Sequence, residues 1–83
     1  MPKFFFHCKD GDELRPDPEG MEFPDTDHAI KEAIMAAREI VADAIRAGKE
    51  PPVEALIIAD GRGQRITEVP LAEVLPRGLL TSH

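Results

Sequence analysis

The chain is predicted to be a single α+β domain of order β-β-α-β-β, a four-stranded, mainly antiparallel sheet with one long helix packed on one face. Three observations predict this. One segment, near residues 26–47, carries an apolar period of about 3.6 residues. Two Asp-Gly pairs, Asp10-Gly11 and Asp60-Gly61, mark tight turns on either side of it. Short runs rich in β-favouring residues flank both turns. At 83 residues the chain fits one domain, taken as 1–76, followed by a flexible C-terminal tail at 77–83.

The first strand is expected over residues 3–9, Lys-Phe-Phe-Phe-His-Cys-Lys, where aromatic side chains suit a pleated surface. Gly11 tolerates the positive φ that a hairpin turn needs. A second, irregular strand should run through 13–15 and resume at 21–23. Between those pieces lies Pro16-Asp17-Pro18-Glu19-Gly20, whose prolines lack the N–H that a ladder requires. This insert is expected to be a surface loop or a broad bulge.

Asp25 then caps the helix, its carboxylate placed to accept from free N–H groups of the first turn. Asp27 adds negative charge where the helix dipole favours it. Ile30, Ala33, Ile34, Ala37, Val41, Ala44, Ile45 and Gly48 form the predicted apolar stripe, with charged residues opposite. Gly48 ends the helix and Pro51-Pro52 prevent its continuation. Strands follow at 54–60 and 64–69, joined by Asp60-Gly61-Arg62-Gly63, and 71–75 form a single helical turn. A strand order 2-1-3-4 suits these connections.

Composition narrows the function classes. Hydrophobic residues make up 42% of the chain, with four Phe and no Trp or Tyr, so the core must be mostly aliphatic. A domain this short buries only about 60–65% of its unfolded surface. Such domains commonly gain stability from a metal, a disulfide or a second subunit. Cys8 is the only cysteine, which excludes an intrachain disulfide and suits a reducing compartment, so a cytoplasmic location is expected. No stretch approaches the roughly 20 apolar residues of a membrane span. The net charge of −6 and the scattered basic residues argue against nucleic acid as a partner.

Alternation along the strands is the most informative pattern. Phe4, Phe6 and Cys8 share one face of the first strand; Phe5, His7 and Lys9 share the other. In the third strand Leu56 and Ile58 point one way, and Ala55, Ile57 and Ala59 the other. A strand with water on one side should alternate apolar and polar. These two do not, yet a single helix covers a single face. A second copy of the chain, a foreign protein, or the chain's own Leu71, Val74, Leu75, Leu79 and Leu80 should cover part of the other. Simple exposure of Phe5 and Ile57 is the plainer alternative.

Few residues suggest catalysis or ligand binding. The carboxylates of Asp10, Asp12 and Glu13 could bind a metal or serve as an acid–base pair. They do not match a calcium loop, and turn chemistry accounts for them more simply. His7 and Cys8 are adjacent and so face opposite sides, which prevents shared chelation. Cys8 has Phe4 and Phe6 as same-face neighbours, an inert setting for a thiol. A satisfied surface histidine is the simpler reading of His7, although it shares its face with Phe5. Gly61-Arg62-Gly63 lacks the remainder of a phosphate loop. No catalytic residue, cofactor or metal is therefore assigned, and an enzyme is the less favoured class.

Phe5-Phe6-His7, Asp10-Gly11-Asp12, Asp17, Gly20, Phe23-Pro24-Asp25, Glu32-Ala33, Ala36-Ala37-Arg38, Ile58-Ala59-Asp60 and Val69-Pro70 together resemble a family of short bacterial proteins known only as a domain of unknown function. The resemblance spans nearly the whole chain and implies no activity. Cys8, where an aliphatic residue is more typical, and the compact 60–63 turn depart from the pattern. Phe23-Pro24-Asp25, Glu32-Ala33 and Ala37-Arg38-Glu39 also resemble, more faintly, the α+β domain of Hic-type antitoxins, without the appended DNA-binding segment.

The expected function is a small non-catalytic module that binds protein or self-assembles, as a homodimer, through Phe5, His7 and Ile57 on the second face. The alternative is an acidic antitoxin-like regulator that caps a basic partner. A further alternative is a metal-binding or hydrolytic protein using the Asp10, Asp12 and Glu13 loop.

Overall fold

A computed structural model describes residues 1–74 of the chain. Its elements are β1 (Lys3–Asp10), β2 (Glu13–Arg15), β3 (Met21–Glu22), α1 (Thr26–Ala47), β4 (Ala55–Asp60), β5 (Arg65–Pro70) and a 3₁₀ turn, Leu71–Val74. The predicted tail at 77–83, and the domain end at 76, lie outside the described residues.

Among the described residues the sheet has five strands where four were predicted, and the difference is local. β2 and β3 are separate pieces that both pair antiparallel with the same edge of β1, at Cys8–Asp10 and at Lys3–Phe4 respectively. The proline-containing insert breaks one irregular strand into two, because it cannot supply a continuous run of N–H donors. The order β2-β1-β4-β5 otherwise follows the predicted 2-1-3-4, and every pairing is antiparallel.

Helix α1 starts and stops where its caps require. The Asp25 carboxylate accepts from the backbone N–H of His28 at 2.9 Å. At the other end Gly48 adopts φ 66°, and the N–H groups of Gly48 and Lys49 return to the carbonyls of Ile45 and Ala44. The left-handed backbone there is what makes glycine the suitable residue.

The face that α1 buries differs by one step from the predicted stripe. Ala29, Ala33, Ala37, Val41 and Ala44 are buried, Ile30 and Ile34 lie half-buried on the flank, and Ile45 is 60% exposed. Small side chains at the contact line let the helix approach the sheet closely, and the bulkier isoleucines fill the sides. The core between the two layers holds Phe4, Phe23, Leu56, Ile58, Val69 and Leu71, with Phe6 and Cys8 packed against it. Phe6 stacks on Phe23 with ring centroids 5.9 Å apart. Phe4, Phe6, Cys8, Leu56 and Ile58 thus occupy the helix side, as alternation requires.

Candidate functional site

The opposite side of the sheet carries Phe5, His7 and Lys9 from β1 and Ala55, Ile57 and Ala59 from β4. Register sets them in rows: Phe5 beside Ala59, His7 beside Ile57, and Lys9 beside Ala55. Glu68 of β5 extends the His7–Ile57 row. Phe5, His7 and Ile57 are each half-buried. The Phe5 and His7 rings lie nearly parallel, with an interplanar angle of 18° and centroids 6.2 Å apart.

Part of this face is covered by the chain itself, from a source that alternation did not suggest. The insert at 16–20 folds back over β1 and is held there by one residue, Asp17. One carboxylate oxygen accepts the N–H of Phe6 at 3.2 Å, filling the gap that β2 and β3 leave along the edge of β1. The other accepts the N–H groups of Glu19 and Gly20, each at 3.2 Å. The backbone N–H of Asp17 in turn donates to Nδ1 of His7 at 2.9 Å. Gly20, at φ 70°, lies against the edge of the Phe5 ring. Leu71 belongs to the helix-side core, Val74 packs beside it, and Leu75, Leu79 and Leu80 lie outside the described residues.

Long polar side chains close more of the face. The Lys9 ammonium stands 3.6 Å from Glu68 and 3.9 Å from Glu54, and Arg65 pairs with Glu68. Ala55 and Ala59, the small side chains of β4 on this face, are buried. What stays partly open is the Phe5–His7 stack and Ile57.

Partial burial works to raise the pKa of Asp17, but the N–H groups of Gly20, Phe6 and Glu19, with nearby His7, hold it below the ordinary 3.8. A carboxyl lowered in this way stabilises the fold at pH above its unfolded value, and that contribution fades as pH falls through the native value. Acid unfolding of the wild type should therefore steepen below about pH 4, where Asp17→Asn shows a weaker dependence. Matching slopes for the two proteins in urea melts across that range would show that the carboxylate is not held.

The other sequence candidates do not converge. Asp10, Asp12 and Glu13 are exposed around the first hairpin. Among the described residues no group of three His, Cys, Asp or Glu side chains could hold a metal ion. Cys8 packs on the helix side, away from His7. The Asp60 carboxylate accepts from the N–H groups of Arg62 and Gln64, each at 2.9 Å, which accounts for the 60–63 turn as local structure.

Sequence reasoning passed over Asp17 and Gly20 as parts of the site, although both stand in the pattern that carries the family resemblance. The available signal was an Asp followed three residues later by Gly. That spacing lets a carboxylate bond the backbone ahead of it while glycine takes positive φ.

These features define a class: a small α+β domain with one helix-covered sheet face and a second face partly closed by an edge insert. No helix among the described residues is long and apolar enough to cross a membrane. The chain matches the family model described as Domain of unknown function (DUF6894) over residues 3–72, from the start of β1 into the 3₁₀ turn, and it belongs to that family. No curated protein and no solved structure matches it, and the likeness to Hic-type antitoxins gains no support.

Proposed function

We propose that this protein is a small, non-catalytic bacterial module that binds protein by self-association, forming a homodimer in the cytoplasm through the helix-free face of its sheet. The observation that carries the reading is the half-open row of Phe5, His7 and Ile57, with a flat ring stack beside an aliphatic side chain. Aromatic and aliphatic groups in such a setting are the kind that anchor interfaces.

Charge favours a second copy over a foreign partner. A two-fold contact sets a patch against itself, so a patch of one sign would repel its own image. The chain as a whole carries −6, but this face mixes Lys9 and Arg65 with Glu54 and Glu68. Its size argues for a weak complex. Four lanes about 4.8 Å apart, with β2 and β3 sharing one, and about six residues of strand along each give a patch near 20 Å on each side. That is well below the roughly 800 Å² per partner of a stable interface. The lone thiol of Cys8 suits the reducing cytoplasm.

Sedimentation equilibrium from low micromolar to about 1 mM protein should show a monomer–dimer equilibrium with a dissociation constant in that range. Ile57→Lys should hold the protein monomeric while its far-UV circular dichroism stays unchanged. A wild type that remains monomeric up to the highest concentration would end this reading.

A further inference from the structure

The clasp on the second face depends on a bare ring nitrogen. Asp17 donates its backbone N–H to Nδ1 of His7 at 2.9 Å, so Nδ1 must be the acceptor and the neutral ring carries its proton on Nε2. Protonation fills Nδ1 and sets two N–H hydrogens against each other across that short contact. The bond cannot survive it.

Asp17 is also the residue on which the rest of the insert hangs, through its bonds to Phe6, Glu19 and Gly20. A change at its backbone therefore reaches the whole segment. Charged groups stand near the ring on several elements. From the insert, the Asp17 carboxylate is the near anion. On β1 itself, Lys9 shares the face. β4 supplies only the uncharged Ile57 opposite. On β5, Glu68 is engaged by Lys9 and Arg65. On β2, the residue beside Lys9 is the uncharged Leu14. Helix α1 lies on the other side of the sheet. With the ring protonated, the Asp17 N–H loses its acceptor, and only the carboxylate's bonds to Phe6, Glu19 and Gly20 are left to hold the segment.

We infer that His7 is a pH-sensitive latch: neutral, it pins the Asp17 backbone against β1; protonated, it frees that backbone and loosens residues 16–20 over Phe5. Its use as a control on dimerisation rests on the contact surface proposed above. The latch itself is a property of the monomer.

Amide hydrogen exchange, read residue by residue at a concentration where the protein is monomeric, tests it. Corrected for intrinsic rates, protection of the Asp17 amide should fall at least about tenfold between about pH 7.5 and pH 5.5. His7→Asn offers an amide oxygen near the position of Nδ1 but does not titrate, and its protection should stay flat. Unchanged protection in the wild type overturns the latch, and so does an equal fall in His7→Asn. Should that variant fail to fold, the imidazole nitrogen shifts of the wild type decide. A neutral ring protonated on Nε2 is expected, and protonation on Nδ1 rules the latch out. A monomer that shows the pH response but never dimerises would remove the proposed contact and leave the latch standing.

Discussion

Replacing Ile58 with alanine is expected to lower the unfolding free energy by about 2–5 kcal/mol. Ile58 is 0% exposed and is, among the described residues, the largest side chain to be sealed so completely. It sits on β4 between Phe6 of β1 and Thr67 of β5, beneath the alanine-lined side of α1. Hydrogen-bonded strands on both sides hold its backbone, so the layer has little freedom to collapse into the space left behind. Domains of this size have a stability near the low end of about 5–15 kcal/mol, and the variant should be substantially unfolded at moderate urea. Ile58→Val removes one methyl and should lose only about 0.5–1.5 kcal/mol. Urea melts followed by circular dichroism give both values. A loss below about 1 kcal/mol for the alanine variant would mean that helix and sheet are not close-packed at this point.

Gly20→Ala is expected to be nearly as damaging, by about 2–4 kcal/mol, from two separate sources. The backbone at Gly20 has φ 70°, where a side chain is strained. A Cβ there would also stand 2.8 Å from Cε2 of Phe5 and 2.9 Å from the carbonyl oxygen of Phe4. The ring can swing aside, but the carbonyl belongs to β1 and cannot. Gly11 provides the comparison, because its φ is 62° and a Cβ would meet nothing within 4 Å. Gly11→Ala should show the backbone term alone, about 1–2 kcal/mol. Equal losses at the two positions would show that the insert does not press on β1.

The parts of the fold that follow local rules were legible. Asp25 and Gly48 mark the ends of α1 because a cap acts on backbone groups within one turn of itself. Asp10-Gly11 and the 60–63 turn are likewise written in short-range chemistry, and with short connections they constrain the strand order. The clasp is different in kind. Asp17 meets Phe6 eleven residues away and His7 ten away, through side-chain-to-backbone bonds that no period encodes. Alternation correctly set Phe5, His7 and Ile57 on one face. Counting helices, however, could not show that residues 16–20 and the stems of Lys9, Glu68 and Arg65 would close part of it. The exposure of Ile45 has a similar origin: the stripe that faces the sheet depends on how closely the helix can approach, which alanine at 29, 33 and 37 determines.

The split between β2 and β3 has a consequence for the behaviour of concentrated protein. A sheet edge is hazardous when it offers a long unbroken row of N–H and C=O groups to a strand from another molecule. Along β1 that row is occupied at both ends by short strands, and at Phe6 by a carboxylate that no incoming backbone can pair with in the same way. β5 is the remaining rim, six residues ending in Pro70. Among the described residues, fibril growth by strand addition therefore has one short template, and the carboxylate of Asp17 shields the other side of the sheet from it.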